Sequence, residues 1–326
     1  MPYALKHLYH STHWVPDLKE ATDFFGRVFG RESVVLGEYL GSRQRDVPTG
    51  FRNDYATFTP IAEVQLECVD PALLVIDGTQ VHESVRQPSL GALAWFVDGI
   101  EDLWSEMRRQ NLHGMDQRNQ MPLGEGPPLD VSSTPIIFTL PEETGLSYEL
   151  CVYMQRRDPR GDPPVPAVSP TDPLGIECCS HHTVLTDRPD RAERFLVDVL
   201  GGRILHQGPN GLLAAQSSYI ALADAVVEVA QPLEEGSPAM EAWERSAPLD
   251  TYYSMTWKVR DLDRVAQHLE QRPLGLRPVP TSRSLPTRRT GWESPGVFRP
   301  SSPRAIPGPI ASSFSAGAMR RPGERN

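Results

Sequence analysis

The feature that most constrains this chain is a degenerate repeat that recurs four times in its first 272 residues: a short strand, a turn, then an amphipathic helix. In HSTHWVPDLKEATDFFGRVFGRES (10–33) a strand-like segment runs into a turn at Pro16 and Asp17 and then into a helix-period pattern. HHTVLTDRPDRAERFLVDVLGGRIL (181–205) repeats it, with Phe195 placed after His181 as Phe24 is after His10. Weaker copies are LGALAWFVDGIEDLWSEMRRQ (90–110) and YYSMTWKVRDLDRVAQHLEQ (252–271). Four copies imply four modules.

Strand-like segments follow the helices. The first copy continues as ESVVLGEYL, NDYATFTP and AEVQLECV, and the third as GRILHQ, LLAAQSS with YIALAD, and AVVEVAQP, an order βαβββ. The second copy closes with TPIIFTLP and LSYELCVYM around the turn PEETG. In the fourth copy only the opening strand and helix are convincing. The fold class predicted is α+β, with paired βαβββ modules forming cupped mixed sheets: a first domain at 1–155, a Pro-rich extended linker at 156–175, and a second domain at 176–272 that reads as incomplete.

The segment 273–326 has no apolar period and carries nine Arg, no Lys and two acids, Glu293 and Glu324, so it is predicted to be a disordered tail. Three Lys against 29 Arg in the whole chain suggest GC-rich coding DNA, in which a frame change yields a Pro, Arg and Ser ending of this kind. The formal net charge of −10, with Trp292, Phe298 and Phe314 thinly spread among the tail arginines, argues against a nucleic-acid partner. No apolar run approaches the roughly 20 residues of a membrane helix, and the start lacks a basic then apolar leader, so no membrane and a cytoplasmic location are expected. Cys68, Cys151, Cys178 and Cys179 show no CxxC spacing and read as reduced.

Side chains alternate across a strand, so Glu63, Gln65 and Glu67 share one face of AEVQLEC while Ala62, Val64, Leu66 and Cys68 share the other. His10, Thr12 and Trp14 share a face, as do Ser147, Glu149 and Cys151. A histidine and a carboxylate on facing strands supply the N and O ligands that suit Fe, Zn, Ni, Mn or Co. The plain alternative for His10 is a hydrogen-bonded structural histidine, and for Glu149 a surface carboxylate on an edge strand.

His10 with VPDLKEATDFF, GLSYEL with Glu149, and His181 with the PDRAERF helix together resemble the vicinal oxygen chelate superfamily of glyoxalases, epimerases, extradiol dioxygenases and bleomycin-resistance proteins, over 1–155 and 178–271. The resemblance implies that two modules pair into a cup, with metal ligands on the first and last strands of each. His10 and Glu149 would then be ligands, Gln65 would be an amide ligand where Glu is usual, and Ala92 would stand in place of a histidine. In the second half His181 and Glu228 match, Ser254 replaces the histidine, and the closing Glu has no counterpart.

The function implied is a divalent-metal-dependent isomerase or epimerase that moves a proton beside a carbonyl of a small oxygenated metabolite, such as a keto sugar, a cyclitol-like ketone or an acyl thioester. Glu149, Glu63 or Glu67 would serve as base. An Fe(II) ring-cleaving dioxygenase would need His181, Glu228 and a further ligand. A metal-free drug- or metabolite-binding protein is the third reading, favoured by Ala92, with Trp14 and Trp95 either stacking on a flat ligand or packing the core. A small-molecule substrate and a possible homodimer are the expected partners.

Overall fold

The computed structural model describes residues 2–40, 53–153 and 172–272, together with 276–278, 298–300 and 312–315. In the first half β1 (Ala4–Trp14) is followed by α1 (Leu18–Phe24), β2 (Val34–Val35), α2 (Leu36–Leu40), β3 (Ala56–Ile61) and β4 (Val64–Val69). A small hairpin, β5 (Val75–Ile76) and β6 (Thr79–Gln80), leads to β7 (Ser89–Asp98), α3 (Ile100–Arg109), β8 (Gly114–Met115), β9 (Ile136–Thr139), α4 (Pro141–Thr144) and β10 (Tyr148–Val152). The second half runs β11 (Ile176–Leu185), α5 (Pro189–Arg194), β12 (Arg203–Asn210), β13 (Ala215–Leu222), β14 (Ala225–Pro232), α6 (Pro238–Glu244), β15 (Thr251–Val259) and α7 (Leu262–Glu270). Short strands β16 (Leu276–Pro278), β17 (Phe298–Pro300) and β18 (Ser312–Ser315) follow.

The repeat dictates the topology. The first sheet has the order β2-β3-β4-β1-β7-β10-β9-β8, and the second has the same order of equivalent strands, β12-β13-β14-β11-β15-β18-β17-β16. In each half the opening strands of two modules pair antiparallel at the centre, β1 with β7 and β11 with β15. Each opening strand also pairs in parallel with a closing strand, β1 with β4 and β7 with β10. The closing strand of each module therefore lies beside its opening strand, which is what gathers side chains from both ends of a module.

Local chemistry starts and stops the helices where the sequence suggests. Asp17 caps α1 by accepting the Glu20 N–H at 2.9 Å, and Asp261 caps α7 by accepting the Arg264 N–H at 3.0 Å. After α1 the backbone widens into a π-turn over Phe25–Phe29, and the same happens over Phe195–Val199 after α5. The turn keeps Phe24, Phe25, Val28 and Phe29 buried together, and Gly30 ends it at φ 63°, where a side chain would be strained.

One hydrophobic cluster runs through both halves. It takes Val64, Leu66 and Cys68 from β4, Leu93, Trp95 and Val97 from β7, and Tyr252, Met255 and Trp257 from β15. The halves are also tied by Tyr3 Oη donating to the Val199 carbonyl at 2.6 Å and by the Leu8 N–H donating to Asp224 at 2.7 Å. Asp172 pairs with Arg31 and accepts the Leu174 and Gly175 N–H groups. Residues 154–171, most of the Pro-rich segment, lie outside the described residues.

The place after α7, which the sequence leaves without strands, holds β16, β17 and β18. β18 pairs in parallel with β15, Ser313 opposite Thr256, as β10 pairs with β7, Glu149 opposite Ala94. The expectations of a wholly disordered tail and of missing closing strands are corrected to that extent. Such pairing is made by backbone groups, which any non-proline residue carries, so strands of three or four residues leave no alternating apolar signal. The remainder of 273–326 lies outside the described residues.

Candidate functional site

The first cup brings His10, Glu67 and Glu149 together from β1, β4 and β10. Cα register explains the meeting. Thr12 pairs with Glu67 across β1 and β4, Ala94 with Glu149 across β7 and β10, and His10 with Ala94 across the central strands. A register shift between Leu8 and His10 inserts an extra residue, so that Tyr9 and His10 stay in contact with ring centroids 4.4 Å apart.

His10 is 2% exposed and its ring lies between the two carboxylates. Nδ1 stands 3.3 Å from Glu67 Oε2, and Nε2 stands 3.6 Å from Glu149 Oε2. Thr12 Oγ1 donates to Glu67 Oε2 at 3.0 Å and lies 3.1 Å from His10 Nδ1. Burial alone would push the imidazole pKa down, but the charges of Glu67 and Glu149 outweigh it and hold His10 above the ordinary histidine value. Burial, then the charge of Glu149, raises Glu67 despite its contact with His10. Glu149 is lowered, its burial cost being exceeded by the charge of His10 and by the Cys151 thiol, which donates at 3.2 Å.

Among the described residues no three His, Cys, Asp or Glu side chains close on one point as they stand. The donor set still suits a divalent ion. Two carboxylates face one imidazole in a buried site, and 3.6 Å is too long for a hydrogen bond but near the roughly 3.4 Å that separates two ligands of one tetrahedral ion. His10 Nε2 and Glu149 would be the ligands, with Glu67 behind the other ring nitrogen.

Aromatic side chains wall the cup. The Tyr39 and Phe58 rings stack at 4.3 Å, and the Tyr9 and Phe96 rings lie 4.3 Å apart. The loop between β8 and β9 reaches across to the β5–β6 hairpin, with Arg118 Nε donating to Asp77 at 2.9 Å and Asn119 Nδ2 to the Val81 carbonyl at 3.0 Å.

The second cup repeats half of this. Thr183 Oγ1 donates to Glu228 Oε2 at 2.7 Å and pairs with Glu228 in register, as Thr12 does with Glu67. Glu228, fully buried, also accepts from Asn210 Nδ2 at 2.7 Å and Tyr219 Oη at 2.8 Å, and His181 Nε2 stands 3.4 Å away. Burial would raise the Glu228 pKa, but the charge of His181, then the hydrogen bonds from Thr183 and Asn210, hold it below the ordinary carboxylate value. Ser313 holds the register position that Glu149 holds in the first sheet.

Two site expectations need correction. Glu63 lies in the turn between β3 and β4, where Ala62 takes φ 50°, and its carboxylate accepts the Cys179 N–H at 2.7 Å at the junction of the halves; it is not in the cup. Gln65 faces the cup with its Oε1 buried and lacking a hydrogen-bond partner among the described residues. The position equivalent to Glu149 is nevertheless Glu67, because Glu67 lies across from Thr12 as Glu149 does from Ala94. Trp95 is fully buried in the shared core. The residues that sequence reasoning left without a role are Thr12, Thr183, Tyr219 and Asn210. A signal existed for two of them: a threonine follows two residues after the histidine in both halves, His10 with Thr12 and His181 with Thr183.

No protein-family model matches the chain, and no curated protein matches it. Solved structures do match. The Mn(II)-bound glyoxalase from Novosphingobium aromaticivorans aligns with a TM-score of 0.55 at 10% identity, covering 96% of this chain and 83% of that one. The 2,3-dioxygenase LapB from Pseudomonas sp. KL28 aligns with a TM-score of 0.55 at 11% identity, covering 99% and 96%. BphC, a halotolerant catechol dioxygenase, aligns with a TM-score of 0.52 at 10% identity, covering 96% and 87%. The chain thus shares the α+β fold of these solved structures, the fold that the sequence resemblance implies. That fold hosts different chemistries, so activity must be argued from the site.

Proposed function

We propose that the protein is a divalent-metal-dependent enzyme whose first cup moves a proton beside a carbonyl group of a small oxygenated metabolite, an isomerase or epimerase. The observation that supports this most is the meeting of His10, Glu67 and Glu149 in one buried cup. His10 Nε2 and Glu149 hold the ion; when bound, it supplies Lewis-acid polarisation of a substrate carbonyl. Glu67 is the proton carrier. Its Oε2 is engaged by Thr12 and His10, and its Oε1 is the carboxylate oxygen that neither uses.

Deuterium wash-in tests the proposal. The Mn(II)-loaded protein is incubated in D2O with hydroxy ketones, cyclitol ketones and acyl thioesters, and the α-carbon is read by mass spectrometry. Exchange by the wild type that falls roughly 100-fold or more in Glu67→Gln is the expected result. Metal-loaded protein that exchanges none of them overturns it.

A metal-free binding protein is the second reading, favoured by Ala92 on the cup side of β7, where the resemblance calls for a histidine. Retention of a flat ligand by metal-free protein, unchanged in Glu149→Ala, would support that reading instead. The dioxygenase reading gains nothing from the second cup, where Ser254 and Ser313 stand at the remaining positions.

A further inference from the structure

We propose that Thr12 is a positioning residue that fixes the tautomer of His10, and that the second half locks its equivalent histidine in the opposite tautomer. The inference deepens the metal reading above and rests on it only for the affinity measurement described below.

A threonine hydroxyl has one proton. Thr12 gives it to Glu67 Oε2 at 3.0 Å, since an ionised carboxylate can only accept. The 3.1 Å contact between Thr12 Oγ1 and His10 Nδ1 then needs the proton on Nδ1, with the threonine oxygen accepting. Glu67 Oε2, 3.3 Å from the same nitrogen, draws the proton the same way and stands closer than the 3.6 Å at which Glu149 faces Nε2. Two acceptors on Nδ1 leave the neutral ring with its lone pair on Nε2, and Nε2 is the nitrogen that faces Glu149 at 3.6 Å. Thr12 thereby presents a ligating nitrogen on the side of the ring that faces Glu149.

The second half has the same residues turned the other way. Thr183 donates to Glu228 Oε2, but there it is His181 Nε2 that faces Glu228, at 3.4 Å. The proton belongs on Nε2, and Nδ1 accepts from Ser180 Oγ at 3.1 Å. Thr183, Tyr219 and Asn210 fill three of the four acceptor sites of the Glu228 carboxylate, and His181 Nε2 faces the remaining one. With its proton turned toward Glu228, Nε2 of His181 has no lone pair to offer an ion. The two cups are thus unequal for a reason that ligand counting misses.

The test is 15N NMR of histidine-labelled, metal-free protein at alkaline pH, with each ring assigned by its loss in His10→Gln and His181→Gln. Nδ1–H at His10 beside Nε2–H at His181 in the wild type is the expected result, with the His10 preference lost in Thr12→Val and restored in Thr12→Ser. Nε2–H at wild-type His10, Nδ1–H at wild-type His181, or an unchanged spectrum in Thr12→Val overturns the proposal. Mn(II) titration gives a second readout: about 10–100-fold weaker binding in Thr12→Val, recovery in Thr12→Ser and no change in Thr183→Val. Equal losses from Thr12→Val and Thr183→Val would also overturn it. A wild type that binds no metal would defeat the proposed function, while the NMR result still decides the tautomer.

Discussion

Glu67 and Glu149 occupy equivalent places in two copies of one repeat, yet they meet His10 at different ring nitrogens, Glu67 at Nδ1 and Glu149 at Nε2. The repeat makes them alike and the ring orientation makes them unequal. Glu149→Gln should abolish tight Mn(II) binding, whereas Glu67→Gln should weaken it about 10–100-fold, as loss of a group behind a ligand does. Calorimetric titration distinguishes the two. The reverse order would assign the ligand role to Glu67.

The missing histidine can be supplied. Ala92 is 6% exposed and lies between the bulged pairs of the two central strands. Ala92→His should raise metal affinity by adding an imidazole donor, at roughly 1–3 kcal/mol of packing strain. Chelator competition reads the gain, and thermal melting without metal reads the cost. Lower affinity in a folded variant would mean that the ion does not face β7.

Much of this was legible in the sequence and some was not, for identifiable reasons. The alternation of β4 placed Val64, Leu66 and Cys68 in the core and Gln65 and Glu67 on the cup side, because one face packs helices and the other does not. It failed at Glu63, where the left-handed turn at Ala62 redirects the chain before the strand begins. Choosing Glu67 over Gln65 needed the pairing register between β1 and β4, which depends on two distant segments at once. The strands at 276–278, 298–300 and 312–315 carry no apolar period and could not be read at all.

Acid should weaken the fold through two histidines of the core. His13 and His182 are buried, and burial pushes their values from 6.5 down to about 4 and about 3. As pH falls through 6.5 the unfolded chain gains protons that the folded chain refuses, so stability present above that value is lost on acidification. Each histidine should cost about 2 kcal/mol between about pH 7 and about pH 5. His10, raised by its carboxylates, acts in the opposite sense. Urea unfolding of wild type beside His13→Leu measures the difference; equal pH slopes would contradict it.

The second cup should behave as structure. Glu228→Gln places an amide donor among the Thr183, Tyr219 and Asn210 donors and removes the charge beside His181. A loss of roughly 3 kcal/mol of stability is expected, with metal content unchanged. Denaturant unfolding and metal analysis of the same sample check both halves of that statement.

Metal content of the purified protein, after reconstitution with Mn(II) and dialysis against metal-free buffer, tests the central claim most directly. Mass spectrometry of wild type, His10→Ala and His181→Ala should find one ion per chain in the wild type, none in His10→Ala and one in His181→Ala. An ion that survives His10→Ala, or a wild type that holds none, would contradict the account.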